Sequence, residues 1–398
     1  MVKMKLRNRL HKVDNIAGAT VTFQDAKAAT VLTATSDAHG VASLNVKPLA
    51  NGAYTCEIEA PNVSADEVGP ALATTAPVPD RIYRPVTLIV KIAGGIINSA
   101  VPADPLTATV AVSASLVNVD IQPVWMKSAQ SSGRGKPVSM IIVHHTACDL
   151  GPAVSTFLSE KGPHYMIDTD GQIVKWVPDA RAAWHAGVAR WDGHADVNER
   201  SVGIEIVNKT GPYPEAQYTA LLGLLDRITT AFSGIDEWNI IGHSDVGTNS
   251  DGKLGRKSGD PGAQFEWSRL EAKRLGLLES DGPPDINIYA GFFNIVASGS
   301  LHVGDNDSRH HFGGANHKDI TGHPVRELQE DLVAIGYSLG GSPDGDFGAK
   351  TQAAVTAFQE HFFAGGRGPK GPDGRVDFQT AAMIKSVAAL APALAGVP

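Results

Sequence analysis

Three residues from distant parts of the chain form a set that can hold one divalent ion. His144 ends the apolar run Ile141-Ile142-Val143, and His243 ends a second, Ile240-Ile241-Gly242. Asp260 follows in the loop Gly259-Asp260-Pro261-Gly262, stiffened by Pro261. Strand ends in α/β sheets are where sites form, because rigid backbone delivers side chains to one rim. Two imidazoles and a carboxylate suit Zn²⁺ and leave a fourth tetrahedral position for water, whose pKa would fall to about 7. A lone strand-end histidine is more often structural than a ligand, so the argument rests on the ordered set. Only two cysteines occur, Cys56 and Cys148, which excludes a disulfide framework and a four-cysteine zinc site. Cys148 reads as a small apolar residue rather than a ligand.

Such chemistry also needs a base. Glu205 lies within the apolar strand Val202 to Val207 and points away from the face of Ile204 and Ile206. A carboxylate there without a purpose would be expensive, so its expected work is to take a proton from water and return it to a leaving amine. His145 reads as packed or supporting, since side chains alternate across a strand. His164 and His185 read equally as cleft-lining or as core imidazoles, and Trp184 as a stacking surface or a buried aromatic.

The elements around these residues predict a multidomain chain, since 398 residues at roughly 150 per domain make two or three. Residues 1–127 alternate in short strands (Ala19 to Phe23, Val41 to Val46, Tyr54 to Glu59) split by Asp37-Ala38-His39-Gly40 and Asn51-Gly52 turns, which predicts an all-β sandwich. Ala65 to Pro79 reads as a long loop, and 128–137 as a Ser/Gly linker. Residues 138–280 alternate strand and helix signals, predicting a central α/β domain with a mixed sheet flanked by helices. They comprise strands at 139–143, 202–207 and 238–241, an Asp170-Gly171 hairpin and helices at 152–159 and 214–232. Residues 281–322 read as a second linker, with His302, His310, His311, His317 and, at its edge, His323 in a solvated loop and a second metal site as the lesser alternative. Residues 323–398 read as a small three-helix bundle. Its pseudo-repeat places Asp344-Gly345 before a helix from Thr351 and Asp373-Gly374 before another from Thr380.

Six motifs in order carry a resemblance: Ile141 to Ala147 (IIVHHTA), His164-Tyr165, Ala183 to Gly187 (AWHAG), Asn198 to Glu205 (NERSVGIE), Ile241 to Asp245 (IGHSD) and Gly259 to Gly262 (GDPG). Together they resemble the zinc-dependent N-acetylmuramoyl-L-alanine amidases of type 2, in the AmpD/AmiD-like branch related to peptidoglycan recognition proteins. The resemblance implies hydrolysis of the amide between N-acetylmuramic acid and the L-alanine of the stem peptide. It implies zinc on His144, His243 and Asp260, with Glu205 as base, and makes His164, Tyr165, Trp184, His185 and Asn198 candidates for substrate binding. Two positions depart from the pattern. The branch carries a lysine two residues before the metal-binding aspartate; here Ser258 stands there and Lys257 one further back. Some relatives have a tyrosine where this chain has Pro163. The oxyanion role, worth about 3 kcal/mol, then falls to Lys257, to the zinc or to His185. Val325 to Leu332, Gly336-Tyr337, Asp344 to Gly348 and Phe358-Gln359 resemble the peptidoglycan-binding domain type 1. The stretch from Gly18 to Pro61, with Ser36 to Gly40 at its turn, is similar to the transthyretin-like or carboxypeptidase-regulatory sandwiches, which implies a spacer or docking role.

The net charge of −8 excludes a global basic field for nucleic acid or anionic membrane. The most apolar stretch, Val86 to Ile97, is short and contains Lys91, well below the ~20 apolar residues of a spanning helix. The basic start has no apolar run behind it, so no secretory signal peptide is expected. Action on peptidoglycan in the periplasm or the extracellular wall would then follow lysis, as for a phage endolysin, or delivery by a secretion machinery engaging the N-terminal domain. The rival expectation is a recognition protein that binds muropeptide without cutting it; a wall peptidase on the same fold is a third.

Overall fold

The structure, a computed structural model, describes residues 1–61, 81–113, 115–246, 259–271, 273, 289, 299–363 and 371–394. The expected loop at 65–79 lies outside these residues, as do Lys257 and Ser258. The chain forms two compact units: Met1–Gln130 with Asp149–Ala180, and Ser131–Cys148 with Arg181–Pro398. Among the described residues no helix is long and apolar enough to cross a membrane.

The first unit begins with ten strands: β1 (Val2–Asn8), β2 (Thr20–Gln24), β3 (Thr30–Thr35), β4 (Val41–Leu44), β5 (Gly52–Glu59), β6 (Arg81–Tyr83), β7 (Val86–Ala93), β8 (Ile96–Pro102), β9 (Ala108–Val112) and β10 (Leu116–Ile121). One sheet runs β4-β1-β10-β9 and another β3-β2-β5-β7-β8. Their period-two patterns (Met4 and Leu6; Val21 and Phe23; Cys56 and Ile58; Leu88 and Val90; Val117 and Val119) bury one face of each into a single apolar core. The Asp37 turn forms as its residue types require. Asp37 Oδ1 accepts the N–H groups of His39 and Val41 at 2.8 and 2.9 Å, and Gly40 has φ +71°, where a Cβ would stand 2.5 Å from the Leu6 carbonyl.

The same unit holds β11 (Pro123–Met126), a helix α1 (Leu150–Ser159) and the hairpin predicted at Asp170-Gly171. In that hairpin, strands Tyr165–Ile167 and Ile173–Lys175 pair antiparallel around Gly171 at φ +82°. Beneath it lies a buried ion pair. Lys175 Nζ sits 2.7 Å from Asp179 Oδ2, and the Tyr165 hydroxyl donates to the same oxygen at 2.8 Å.

The second unit contains the strands and helices that carry the candidate site. It includes two short paired strands, β12 (Ser132–Gly133) and, in chain order after β13 (Met140–His145) and the hairpin strands β14 and β15, β16 (Arg181–Ala182). A short helix α2 (Val197–Arg200) leads into β17 (Ser201–Ile206), and helix α3 (Glu215–Ala231) precedes β18 (Ile240–Gly242). The strand expected to start at Trp238 starts at Ile240. Glu237–Asn239 forms a 3₁₀ turn instead, because Asp236 Oδ1 accepts both the backbone N–H and the side-chain amide of Asn239, at 3.1 and 2.9 Å. A one-turn helix α4 (Ser268–Glu271) precedes three longer ones: α5 (Pro324–Ile335), α6 (Ala349–Phe362) and α7 (Phe378–Leu394).

The predicted pseudo-repeat has a shared anchor. Gln329 Oε1 accepts the N–H groups of Asp344 and Gly345, and its Nε2 donates to the Asp346 carbonyl and Thr351 Oγ1. Gln359 repeats this around the second turn: Oε1 accepts from Gly374, and Nε2 donates to the Arg375 carbonyl and Thr380 Oγ1. Residues 299–322, read as linker from their Gly, Asp and His content, are instead built into this lobe. Leu301, Phe312 and Ile320 enter its core, Ser300–Leu301 pairs with Val376–Asp377, and Asp307 caps α5 by accepting the N–H groups of Val325 and Arg326. Polar composition misled because its carboxylates bond to backbone inside the fold. One apolar cluster runs from Met140, Ile142, Trp191 and Ile241 to Leu332, Phe358 and Ile384.

Candidate metal centre

Strands β18, β13 and β17 lie side by side, all parallel. Their Ile/Val-rich sequences suit strands buried on both faces. Val143 pairs with Gly242 and His144 with Glu205, and the His243 N–H donates to the Val143 carbonyl at 3.1 Å. His243, His144 and Glu205 therefore form one row at the carboxyl ends of the three strands. Asp260 is anchored beside this row: the Ser244 N–H donates to its carbonyl at 2.8 Å, and the His145 N–H to its Oδ1 at 2.8 Å.

The predicted ligand set comes together. His144 Nδ1 lies 3.0 Å from His243 Nδ1 and 3.5 Å from Asp260 Oδ2, and His243 Nδ1 lies 2.9 Å from that oxygen. All three residues are buried. Ligand atoms at 2.0–2.1 Å from a tetrahedral zinc stand roughly 3.3 Å apart, so the spacing fits that ion. The outer ring nitrogens fit it too. His243 Nε2 faces the Ala186 carbonyl at 3.3 Å, which can only accept, so Nε2 carries the proton and Nδ1 presents its lone pair. His144 Nε2 faces His185 Nδ1 at 2.8 Å, His185 Nε2 faces Ser201 Oγ at 3.2 Å, and the Ser201 hydroxyl donates to the Val197 carbonyl at 2.6 Å. With the serine proton committed, each ring N–H in this chain donates outward, and His144 Nδ1 also offers a lone pair to the centre. These tautomers follow from the partners.

Burial alone would raise the Asp260 carboxyl. The imidazoles of His144, His145 and His243 packed against it outweigh that and hold the group well below the usual carboxylate range. Burial, and then the charges of Asp260, Tyr218 and Glu205, push the Tyr213 phenol up, so it stays a neutral donor; its hydroxyl donates to the Pro261 carbonyl at 2.7 Å.

The candidate substrate residues separate. Trp184 is 42% exposed, with its Nε1 donating to Ser132 Oγ at 3.0 Å. Both ring nitrogens of His185 are committed, to His144 and Ser201. Asn198 is committed as well: its amide oxygen accepts the Ala186 N–H at 2.9 Å and its nitrogen donates to the Gly187 carbonyl at 2.7 Å, fixing the loop whose carbonyl orients His243. His164 and Tyr165 belong to the first unit, where His164 is buried and the Tyr165 hydroxyl bonds Asp179. Cys148 is half-buried and takes no part in the ligand set.

Sequence reasoning passed over Gly203, Ser201 and Asp245. A Cβ on Gly203 would stand 2.4–2.6 Å from the His185 ring, so the slot for that ring requires glycine; a glycine inside an apolar strand was the available signal. Asp245, fully buried, accepts the Gly242 N–H at 2.8 Å.

Residues 134–262 match the N-acetylmuramoyl-L-alanine amidase family, and residues 321–384 a peptidoglycan binding domain family. The 1,6-anhydro-N-acetylmuramyl-L-alanine amidase AmpD of Enterobacter cloacae is 39% identical over 108 residues, 27% of this chain and 54% of that protein. The N-acetylmuramoyl-L-alanine amidase AmiD of Escherichia coli is 27% identical over 157 residues, 35% of this chain and 54% of that protein. The chain thus spans about half the length of these curated relatives. The crystal structure of AmpDh3 from Pseudomonas aeruginosa is 26% identical and aligns over 65% of this chain and 94% of its own, with a TM-score of 0.47. This chain carries an N-acetylmuramoyl-L-alanine amidase domain followed by a peptidoglycan binding domain.

Proposed function

We propose that the chain hydrolyses the amide between N-acetylmuramic acid and the L-alanine of a peptidoglycan stem peptide, as a zinc hydrolase. The observation that carries this reading is the convergence of His144 Nδ1, His243 Nδ1 and Asp260 Oδ2, with Glu205 beside His144 in the same row. Zinc, when bound, would polarise the scissile carbonyl and acidify a water. Glu205 takes the proton of the attacking water and passes it to the alanine nitrogen as the C–N bond breaks. His185 and the Ala186 carbonyl hold the two imidazoles in one tautomer, so the site needs no rearrangement during turnover. Partly exposed Trp184 is the proposed contact for sugar or peptide, and Lys257 remains the proposed oxyanion donor.

The limits proposed for the parts are 1–127 for a sandwich acting as spacer or docking domain, 138–280 for the amidase and 323–398 for wall binding, the last with residues 299–322 folded into it, and with action in the periplasm or the extracellular wall. A wall-binding lobe raises the local substrate concentration without adding a catalytic contact. A complete ligand set together with a base supports hydrolysis over recognition alone. The test is digestion of purified peptidoglycan, with mass spectrometry of the products. The expected products carry a free L-alanine amine and an intact lactyl carboxylate. The Glu205→Gln variant should retain zinc and lose at least about a hundredfold in rate; full activity in that variant would remove Glu205 from the mechanism.

A further inference from the structure

Three consecutive residues lie in the last turn of helix α6. Gln359 faces into the C-terminal lobe, where it anchors the second Asp-Gly turn. The next two turn towards the metal centre, and both are buried although charged or polar. Both carboxylate oxygens of Glu360 accept the backbone N–H of Gly259, at 3.0 and 2.9 Å. Gly259 immediately precedes the ligand Asp260. His361 Nδ1 donates to Asp245 Oδ2 at 2.8 Å, and that same oxygen accepts the N–H of Gly242 at 2.8 Å. Gly242 immediately precedes the ligand His243. The Tyr337 hydroxyl, from just after α5, closes the group by donating to Asp245 Oδ1 at 2.7 Å. The His361 ring stacks on Trp267 at 4.0 Å with a 10° interplanar angle, and the Trp267 ring in turn fills the space where a Gly242 Cβ would fall, at 3.1 Å.

The geometry points to Glu360 and His361 as positioning residues for the metal centre. The lobe that matches a wall-binding family grips the backbone one residue before two of the three ligands, and so sets the approach of His243 and Asp260. This rests on the zinc reading above. Burying such groups is costly. A carboxylate and an imidazole removed from water need hydrogen bonds in compensation. His361 Nε2 finds none among the described residues, so the compensation comes from Glu360 and His361 Nδ1, whose bonds are directed at the backbone beside His243 and Asp260, where placement to a few tenths of an ångström decides metal affinity. A lobe serving only as a flexible tether would keep such residues in solvent. Because linkage is reciprocal, zinc in the site must also stabilise the last turn of α6.

The test uses the full chain and zinc itself. Affinity is measured by competition with a chromophoric chelator, and turnover on a soluble muropeptide. His361→Ala and Glu360→Ala should each weaken zinc binding about 10–100-fold, the usual effect of removing an outer partner of a metal ligand. At saturating zinc, kcat should fall with KM changed less than about twofold. His361→Asn, whose amide presents an N–H where Nδ1 does, should recover most of the affinity. Val387→Ala, a core change on α7 away from both segments, should lower the melting temperature and leave zinc affinity unchanged. Hydrogen exchange at residues 358–362 should slow on adding zinc to the parent protein. Zinc affinities within twofold of the parent for both alanine variants would overturn the inference, as would an equal loss in Val387→Ala. A parent chain that binds no zinc would overturn the underlying metal reading as well, which separates the two failures.

Discussion

Gly203→Ala tests the positioning argument at its tightest contact. The added Cβ would stand 2.4 Å from Cγ and 2.5 Å from Cδ2 of His185, against about 3.5 Å for a comfortable carbon contact. The ring must therefore retreat by about 1 Å. It is not a loose side-chain end, since it is held at 2.8 Å by His144 and at 3.2 Å by Ser201. A retreat of that size breaks the His144 bond, because contacts much beyond 3.5 Å are no longer hydrogen bonds. Two consequences follow. Overpacking should destabilise the protein by about 1–3 kcal/mol, and loss of the partner that fixes His144 should weaken zinc binding about 10–100-fold. Urea unfolding with chelator present reads the first, and chelator competition the second. A Gly203→Ala protein that binds zinc like the parent would refute the claim that His185 orients His144.

Chelation should abolish amide hydrolysis and lower the melting temperature, and zinc at a hundred times its Kd should restore about 2.7 kcal/mol by calorimetry; an unchanged transition would argue against a folded-state metal site. Gln329→Leu removes the amide that anchors the first Asp-Gly turn and should cost about 2–3 kcal/mol in urea unfolding, with a similar loss for Gln359→Leu. Burial opposes the shift at Asp344, but hydrogen bonds from the Asp346 N–H and Gln329 hold its carboxyl below the usual range. Its contribution is therefore complete above the unfolded-state value near 3.9 and is lost as pH falls through the lowered folded value. Asp344→Asn should flatten that acid limb of the stability curve; parallel curves would remove the group from the account.

Much of the site was legible in the residue order. His144 and His243 close apolar runs that can only be buried strands, and parallel strands deliver their carboxyl ends to one rim. Glu205 announced itself as a carboxylate in an apolar strand, and Asp-Gly turns before Thr351 and Thr380 marked the helical repeat. The supporting layer was less legible. Asn198 was a substrate candidate through the resemblance, and His185 read equally as cleft-lining or core; the bonds of Asn198 to Ala186 and Gly187, and of His185 to His144 and Ser201, join segments that no local pattern connects. The polar stretch at 299–322 looked like linker because composition does not reveal that Asp307 spends its oxygens on the N-terminus of α5.

What the sequence determined by itself is the local chemistry: which strands are apolar, where turns fall, and which few side chains could bind a metal or move a proton. These follow from periodicity and residue type over a handful of neighbours. Only the tertiary structure decided which nitrogen of each histidine faces the centre, why position 203 must lack a Cβ, and that Glu360 and His361 reach back across about a hundred residues to Gly259 and Asp245. Those facts depend on distances between segments remote in the chain, set by how a shared core closes, and no local pattern encodes them.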